Sequence, residues 1–256
     1  MTLTRRKFLK AASVAALVVS ARPSAGRAFE LKGRMSPGPK ALQAGQWGMG
    51  VDMNKCRGNC RDDCLAACHE IHNVPYIPKP EHEVKWLFLE PYENAFPERS
   101  HRFLSKRVRE KNFFLLCNHC EDPPCVRVCP TQATFKRQKD GIVMIDYHRC
   151  IGCRFCMAAC PYGSRSFNFR DPRPFIKKIN PEYPTRHRGV VEKCNFCQEL
   201  LEVGRIPACV EACKEGVLTF GDLEDPTSVV RELLSEKPHI RRKPDLGTGP
   251  SVFYIT

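Results

Sequence analysis

The residues best suited to chemistry form one short run of cysteines. Cys150, Cys153 and Cys156 are separated by two residues each, and Cys160 follows after three more and precedes a proline. Thiolates at this C-x2-C-x2-C-x3-C-P spacing typically hold [4Fe–4S] clusters, because a short loop places three of them around one cluster while the fourth points to a neighbouring cluster. Zinc prefers paired C-x2-C knuckles, and a disulfide scaffold needs no such regular spacing. The run therefore predicts iron–sulfur chemistry.

All sixteen cysteines of the 256-residue chain fall into four groups of four. One [4Fe–4S] cluster takes four thiolates, so the count predicts four clusters. The groups are Cys56, Cys60, Cys64 and Cys68; Cys117, Cys120, Cys125 and Cys129; Cys150, Cys153, Cys156 and Cys160; and Cys194, Cys197, Cys209 and Cys213.

The second group is the run at Cys150 widened by two residues, with C-x2-C-x4-C-x3-C-P spacing. Two short strands are predicted between the two runs, over residues 133–136 and 141–146, with Asp140-Gly141 as their turn. A cluster run, a hairpin and a second cluster run form the internal repeat of a two-cluster ferredoxin. Within the second group, His119 is expected to donate a hydrogen bond to a cluster sulfide rather than to act as a ligand.

The first and fourth groups are less regular. Successive cysteines of the first group are four positions apart, which would place their thiols on one face of a helix, while Gly58 and mixed charges favour a loop at its start. The fourth group is C-x2-C-x11-C-x3-C, with a short helix expected over residues 198–203 and closed by Gly204. Since four cysteines suffice for a cluster, His69 and His72 are expected to pack or form hydrogen bonds rather than bind metal.

The formal charge of +13 would suit a nucleic-acid-binding protein. Four thiolates around a [4Fe–4S] core carry a net charge of about −2, however, so four clusters would contribute about −8. The first 28 residues also hold six basic residues and no acidic ones. Without this segment and with its clusters, the chain would be close to neutral, which argues against a nucleic-acid partner.

Residues 1–28 are predicted to form a twin-arginine signal peptide. The motif Thr4-Arg5-Arg6-Lys7-Phe8-Leu9-Lys10 precedes an apolar stretch at 11–21 that is too short to span a bilayer. A basic amphipathic helix is the alternative. The twin-arginine route exports folded proteins, so clusters can be inserted in the reducing cytoplasm. We therefore expect a location in the periplasm or on the extracytoplasmic side of the membrane, with membrane association through partners.

Three segments follow the signal peptide. Residues 29–112 would contain a lead-in, the first cysteine group and an insertion, with strands near 47–51 and 84–89. Residues 113–175 would form the two-cluster module. Residues 176–256 would contribute the fourth cysteine group, a strand at 217–220, a helix and a final strand at 252–255, while residues 163–188 would cross the surface. The helix is expected to open at Asp225-Pro226 and to turn Val229, Val230, Leu233 and Leu234 inward.

The four groups and the eleven-residue gap inside the last of them resemble the four-cluster ferredoxin-like subunits that accompany molybdoenzymes, periplasmic hydrogenases and NrfC- or HybA-type quinol modules. The similarity covers about residues 50–256. Within this family, residues 116–120, 146–174 and 190–197 are most similar to the DsrO group, the periplasmic iron–sulfur subunits of DsrMKJOP complexes in sulfur-metabolising prokaryotes. The widened spacing of the first cysteine group departs from the family pattern.

This resemblance implies an α+β fold of two bacterial-ferredoxin-like double-cluster modules, the inner one nested within the outer, with loop insertions. It also implies that each cluster takes three cysteines from one group and one from another. The inner pair would use Cys117, Cys120, Cys125 with Cys160, and Cys150, Cys153, Cys156 with Cys129; the outer pair would use Cys194, Cys197, Cys209 with Cys68, and Cys56, Cys60, Cys64 with Cys213.

The resemblance further implies electron transfer with no bond chemistry and no catalytic residue in this chain. Electrons would pass between an NrfD-like membrane subunit that interacts with quinone and a periplasmic multihaem cytochrome c subunit, in dissimilatory sulfur metabolism. Arg149, Arg154 and Lys193 lie beside cysteines, where they could raise nearby reduction potentials or neutralise charge, but they are expected to be solvated. Two alternatives remain open: an equivalent subunit serving a nitrite reductase, hydrogenase or molybdoenzyme, and a structural zinc-binding protein.

Overall fold

The computed structural model describes residues 38–57 and 61–256, so the signal peptide predicted at 1–28 and Cys60 lie outside the described residues. Within these ranges the elements are short. The strands are β1 (Trp47–Val51), β2 (Phe88–Pro91), β3 (Asn112–Leu115), β4 (Thr134–Lys136), β5 (Val143–Ile145), β6 (Ser166–Phe167), β7 (Val191–Glu192), β8 (Leu218–Asp222), β9 (His239–Ile240) and β10 (Val252–Ile255). The helices are α1 (Arg61–Ile71), α2 (Tyr92–Ala95), α3 (Lys106–Arg109), α4 (Pro124–Arg127), α5 (Phe155–Ala158), α6 (Gln198–Leu201), α7 (Ala208–Glu211) and α8 (Val229–Glu236).

The largest sheet joins the beginning and the end of the described chain. Its strand order is β8-β1-β10-β9, in which β1 is parallel to β10 and antiparallel to β8. Every residue of β1 is buried. A Cβ atom on Gly48 or Gly50 would lie 2.5 or 2.7 Å from the side chain of Leu223 or Leu233, so glycine allows these leucines to cover the strand. The sheet thus fixes residues 47–51 against the last forty residues of the chain.

Three hairpin-like strand pairs complete the sheet structure of the described residues: β2 with β3, β4 with β5, and β6 with β7, all antiparallel. The β4–β5 pair lies between the second and third cysteine groups, where the sequence predicted a hairpin. The β2–β3 pair packs on the main sheet through aromatic rings, since Phe96 and Phe113 both contact Tyr254 of β10. The mixed α/β character of the fold agrees with the sequence.

The longest helix, α1, carries two of the cysteines. Asp62 and Asp63 lie in its first turn, where acidic side chains favour a helix N-terminus, so the charges that suggested a loop stabilise a helix instead. Cys64 and Cys68 are one turn apart and both are buried. The helix packs against α7, which carries Cys209. A cysteine group near residue 60 therefore meets one near residue 210.

Two local predictions were wrong. The strand expected over residues 84–89 begins only at Phe88, since Trp86 and Leu87 are buried outside any strand. The last helix begins at Val229 and not at Asp225, because the Asp225 carboxylate accepts hydrogen bonds from the backbone and side chain of Thr227 and so closes a separate turn. In consequence Val229 is 64% exposed, while Val230 is buried as expected.

More than half of the segment at 163–188 is exposed, as expected for a surface crossing, but part of it is buried. Arg186 forms a buried ion pair with Glu192 at 2.5 Å and donates hydrogen bonds to the backbone carbonyls of His72 and Asn73. The Trp86 indole donates to the same glutamate at 3.1 Å. The buried polar residues of this segment form internal contacts, which tie it to the end of α1.

Among residues 38–57 and 61–256, the helices are all too short or too polar to span a bilayer.

Candidate metal centres

The first gathering of thiols is a buried set that we call the Cys117 site. Burial and the charges of neighbouring thiolates raise the pKa of Cys120 to about 12, although a hydrogen bond with Thr248 lowers it. The thiolates that act on Cys120 are those of Cys117, Cys125 and Cys160, and these four cysteines define the site. Three of them come from the second cysteine group and Cys160 comes from the third.

The second set of thiols, which we call the Cys129 site, combines cysteines of the third group with Cys129 of the second group. Burial raises the pKa of Cys156, and the thiolates of Cys150 and Cys129 add to this effect. Helices α4 and α5, which carry Cys125 and Cys156, pack against each other and bring the groups together. Cys153, the fourth predicted member, has an exposed side chain and lies on the solvent side of the same loop.

The third gathering, the Cys194 site, joins the fourth group to the first. Burial raises the pKa of Cys197 well above its usual value, and the thiolates of Cys209, Cys68 and Cys194 raise it further. Cys68 reaches this position because α1 packs on α7. Cys194, Cys197, Cys209 and Cys68 define the site.

The last predicted set is only partly described. Cys64 lies close enough to Cys209 for its thiolate to raise the pKa of that residue, after burial and Cys194. Cys213 accepts a hydrogen bond from the Val217 N–H at 3.2 Å. Cys56 is half-buried, and Cys60 lies outside the described residues. The grouping of these cysteines into one site stays a prediction.

The backbone repeats at the C-x2-C pair of each gathering. The residue before the second cysteine has a positive φ in all three: 42° at His119, 69° at Gly152 and 55° at Phe196. Bulky residues adopt this conformation rarely. Left-handed residues in such turns direct successive N–H groups into a concave loop that favours anions. The sequence repeat is therefore also a repeat of conformation, and each loop is shaped for a negatively charged group.

The surroundings of these thiols suit a [4Fe–4S] cluster. No disulfide joins two of the described cysteines. Backbone N–H groups donate to sulfur at Cys129 and Cys194, both at 3.4 Å, as they do in cluster loops. The amide nitrogen and oxygen of Asn118 are buried between Cys117 and His119 without hydrogen-bond partners of ordinary geometry. Buried polar atoms are normally satisfied, so an inorganic group fits beside them.

His119 is also suited to face such a group. Its Nδ1 accepts a hydrogen bond from the Val143 N–H at 3.1 Å, so a neutral ring carries its proton on Nε2, where it finds no partner of ordinary geometry. Burial, followed by the charges of Lys193 and Arg165, lowers the pKa of His119 well below its usual value. The ring is therefore a neutral donor, although its expected hydrogen bond to a cluster sulfide stays a prediction.

The histidines that follow the first cysteine group have protein partners. His69 Nε2 lies 3.1 Å from the Leu87 carbonyl, and His72 Nδ1 lies 2.8 Å from the Cys68 carbonyl. His72 Nε2 is 2.7 Å from a Glu199 carboxylate oxygen, and the Cys197 sulfur lies within 4.8 Å of both groups. These contacts agree with the expectation that the two histidines form hydrogen bonds.

Among the basic residues near cysteines, the sequence identified only some correctly. Arg149 and Arg154 are exposed, as expected, but Lys193 is buried. Arg165, which was not singled out, donates a hydrogen bond to the Cys125 sulfur at 3.0 Å and is buried too. Its only signal in the sequence is a lone arginine between two serines, five residues after Cys160.

Comparison with known proteins shows what the chain resembles. The family model for the 4Fe-4S dicluster domain matches residues 110–173 and 179–223, which contain three of the four cysteine groups. The Hdr-like menaquinol oxidoreductase iron-sulfur subunit 1 of Archaeoglobus fulgidus is 40% identical over 98% of this chain and 97% of its own length.

Two further relatives are similar over most of their length. The iron-sulfur cluster-binding subunit of menaquinone reductase from Nitratidesulfovibrio vulgaris is 36% identical over 82% of this chain and 89% of its own length. Protein NrfC of Escherichia coli is 35% identical over the whole chain and 96% of its own length.

Proposed function

The chain belongs to the NrfC-type family of iron–sulfur electron-transfer subunits, which contain 4Fe-4S dicluster domains, and on that premise we propose that it connects a quinone-interacting membrane subunit to a periplasmic multihaem cytochrome c subunit. It carries multiple [4Fe–4S] clusters and acts as an electron-transfer subunit of an oxidoreductase complex, not as the catalytic enzyme. We propose four clusters, one for each group of cysteines.

The observation that carries this proposal is the exchange of cysteines between groups. Cys160 lies with the second group, Cys129 lies with the third and Cys68 lies with the fourth. This arrangement supports the proposed ligation, with Cys56, Cys60, Cys64 and Cys213 as the remaining set. It also supports an inner two-cluster module nested within an outer one, with the inner module at residues 113–175 and the outer module completed by 176–256.

The protein's own residues would hold the redox centres and control their surroundings. Bound [4Fe–4S] clusters supply one-electron redox chemistry. The thiolates fix the positions of the sites, and because a site takes ligands from two groups, neighbouring sites are held at a constant separation. Burial of the Cys117 and Cys194 sites excludes water, while N–H groups directed at sulfur favour the anionic ligands.

The partners are inferred from the relatives and from the resemblance of the sequence. Two relatives carry the names menaquinol oxidoreductase and menaquinone reductase, which supports exchange with a quinone pool through an NrfD-like membrane subunit. We assign the chain to a DsrMKJOP-type complex in dissimilatory sulfur metabolism, in the DsrO position. The similarity to NrfC favours a nitrite-reductase module as the second candidate.

We also propose that the chain is exported in folded form. The twin-arginine motif at residues 4–10 would direct it to the periplasm or to the extracytoplasmic side of the membrane. Its cysteines would bind iron before export, since an oxidising compartment would otherwise pair them as disulfides.

Purification of the native complex through a tag on this chain tests the function. We expect a brown preparation with a broad absorption band near 400 nm, acid-labile sulfide, c-type haem and reduction of the centres by menaquinol in membranes. Co-purification of a nitrite reductase or of a subunit with a molybdenum cofactor would assign the chain to another complex. A colourless protein with about one zinc per cysteine group would overturn the iron–sulfur function itself.

A further inference from the structure

Three cations are buried among the described residues without an ion pair to a carboxylate, and two of them, Arg165 and Lys193, lie against the cysteine sites. Arg165 is 5% exposed and Lys193 is 2% exposed, and neither forms an ion pair with an acidic side chain of the described residues. Arg186, by comparison, is equally buried and pairs with Glu192. Burial of an unpaired charge costs several kcal/mol, so such a cation must be compensated, either by carbonyl groups, as at Arg242, which donates to the Ala95 and Tyr162 carbonyls, or by another negative group.

The groups that surround Arg165 are thiols. Its Nη2 atom donates to the Cys125 sulfur at 3.0 Å and its Nη1 atom donates to the Thr134 hydroxyl at 3.3 Å. Although burial alone would lower the pKa of Arg165, thiolates of both inner sites raise it, with Cys125 and Cys156 contributing most. The guanidinium therefore lies between the Cys117 site and the Cys129 site.

Lys193 contacts the backbone beside two of the sites. Its ammonium group donates to the Cys194 carbonyl at 2.8 Å and to the Val143 carbonyl. The N–H of the same Val143 donates to His119, which precedes Cys120, so the lysine lies against the loop of the Cys117 site as well as that of the Cys194 site. Burial lowers the pKa of Lys193 and the charge of Arg165 adds to this effect, while the thiolates of Cys117 and Cys194 oppose it.

The Cys117 site is thus the one that both cations face. A fixed positive charge near a redox centre stabilises the reduced form, which carries the extra negative charge, and so raises the reduction potential. The effect is strong here because both charges are removed from water. Arg154, which is exposed and lies over the rings of Phe167 and Phe169, would be screened by solvent.

We infer that Arg165 and Lys193 are positioning residues for electron transfer, which raise the reduction potential of the centre at the Cys117 site and so favour electrons entering it from either neighbouring site. This inference rests on the proposed iron–sulfur function. The cluster sites replace the missing carboxylate partner, because each cation lies beside two of them.

The test is a potentiometric titration of the full chain, followed by low-temperature EPR. The signal of the Cys117 site is identified as the one that Cys120→Ser alters. At the wild-type midpoint potential, Arg165→Met and Lys193→Met should each lower the ratio of reduced to oxidised centre at this site at least tenfold, which is about 59 mV for a one-electron couple. Arg154→Met is the matched control and should leave this signal within twofold.

The conservative variants separate charge from folding. Arg165→Lys and Lys193→Arg keep the charge and should retain most of the wild-type ratio, and iron content shows whether each variant is loaded. If Arg165→Met cannot hold its cluster, the potentials of Lys193→Met and Arg165→Lys still test the inference. The inference would be overturned if the loaded methionine variants kept the wild-type ratio of reduced to oxidised centre. It would also be overturned if Arg165→Lys and Lys193→Arg changed this ratio as much as the methionine variants do. Absence of any iron–sulfur signal in the wild type would instead contradict the proposed function.

Discussion

At the scale of single residues, the cluster loops are defined by backbone conformation as much as by cysteine. His119 and Phe196 adopt positive φ angles that cost a bulky residue on the order of 1–3 kcal/mol. The third loop uses Gly152 in the same place. A C-x2-C sequence alone does not reveal this strain, because phenylalanine rarely adopts the left-handed region and histidine does so in only a small fraction of cases. The strain is understandable if the loop must present its N–H groups to an anionic centre.

Gly152 offers a direct test of loop shape. A Cβ atom there would lie 2.2 Å from the Gly189 carbonyl oxygen, in addition to the strain of its φ of 69°. Gly163 has a φ of 64° but no atom within 4 Å of such a Cβ. We expect Gly163→Ala to cost about 1 kcal/mol and Gly152→Ala about 1–3 kcal/mol more.

The two variants are compared by denaturant midpoint and iron content after anaerobic purification. Gly152→Ala should lose the cluster of the Cys129 site, whereas Gly163→Ala should keep full iron content. Glycine at this position would allow the backbone to approach a cluster sulfide closely. The structure gives another reason, which is contact with Gly189, and equal midpoints for the two variants would exclude that reason.

At the scale of elements, the outer sites depend on one helix contact. Helix α1 lies near the beginning of the described chain and α7 lies about 140 residues later, yet they pack together and bring Cys68 to Cys209. Neither helix has a strong reason to be stable alone, since α7 has four residues and isolated short helices are marginal. We therefore expect the two halves of this site to fold only in each other's presence.

Paired cysteine variants test which thiols share a site. Cys68→Ala and Cys197→Ala should each remove or alter the same EPR signal and lower iron by at most about four per chain. The double variant should lose no more than either single variant, because both residues belong to the Cys194 site. Combining Cys68→Ala with Cys120→Ala should alter two signals and lose about twice as much iron. Additive losses in the first pair would contradict the proposed crossing.

The sequence predicted local elements well where pattern and packing agreed. β1, the β4–β5 pair, the helix before Gly204 and the last strand all lie close to their expected positions. The sequence predictions failed where tertiary contacts determine whether a polar residue is buried. The ion pair of Arg186 with Glu192 and the buried Arg165 lie in a segment whose composition resembles surface, since a polar residue looks the same in sequence whether water or a buried partner satisfies it. The four cysteine groups followed from spacing, the exchange of cysteines between groups was implied only by the family resemblance, and the burial of Arg165 and Lys193 was not predicted.

At the scale of the whole molecule, charge links the buried sites to the surface. The sequence pI of about 9.1 and the formal charge of +13 count cysteines as neutral thiols. Burial raises the pKa of Cys120 and Cys194 to about 12, so without iron these thiols stay protonated at neutral pH. Cluster binding would convert the same cysteines to thiolates and add about −2 per site.

The loaded and iron-free forms should therefore differ in isoelectric point. We expect anaerobic isoelectric focusing to place the chain lacking residues 1–28 near neutral pH when it holds four clusters, and about two pH units higher after iron is removed with a chelator. The Cys120→Ala variant is the matched control and should focus between the two, because it lacks one cluster. Equal isoelectric points for the loaded and iron-free forms would mean that the basic residues do not serve as counter-charge to anionic centres, and the excess of lysine and arginine would then need an acidic partner outside the chain.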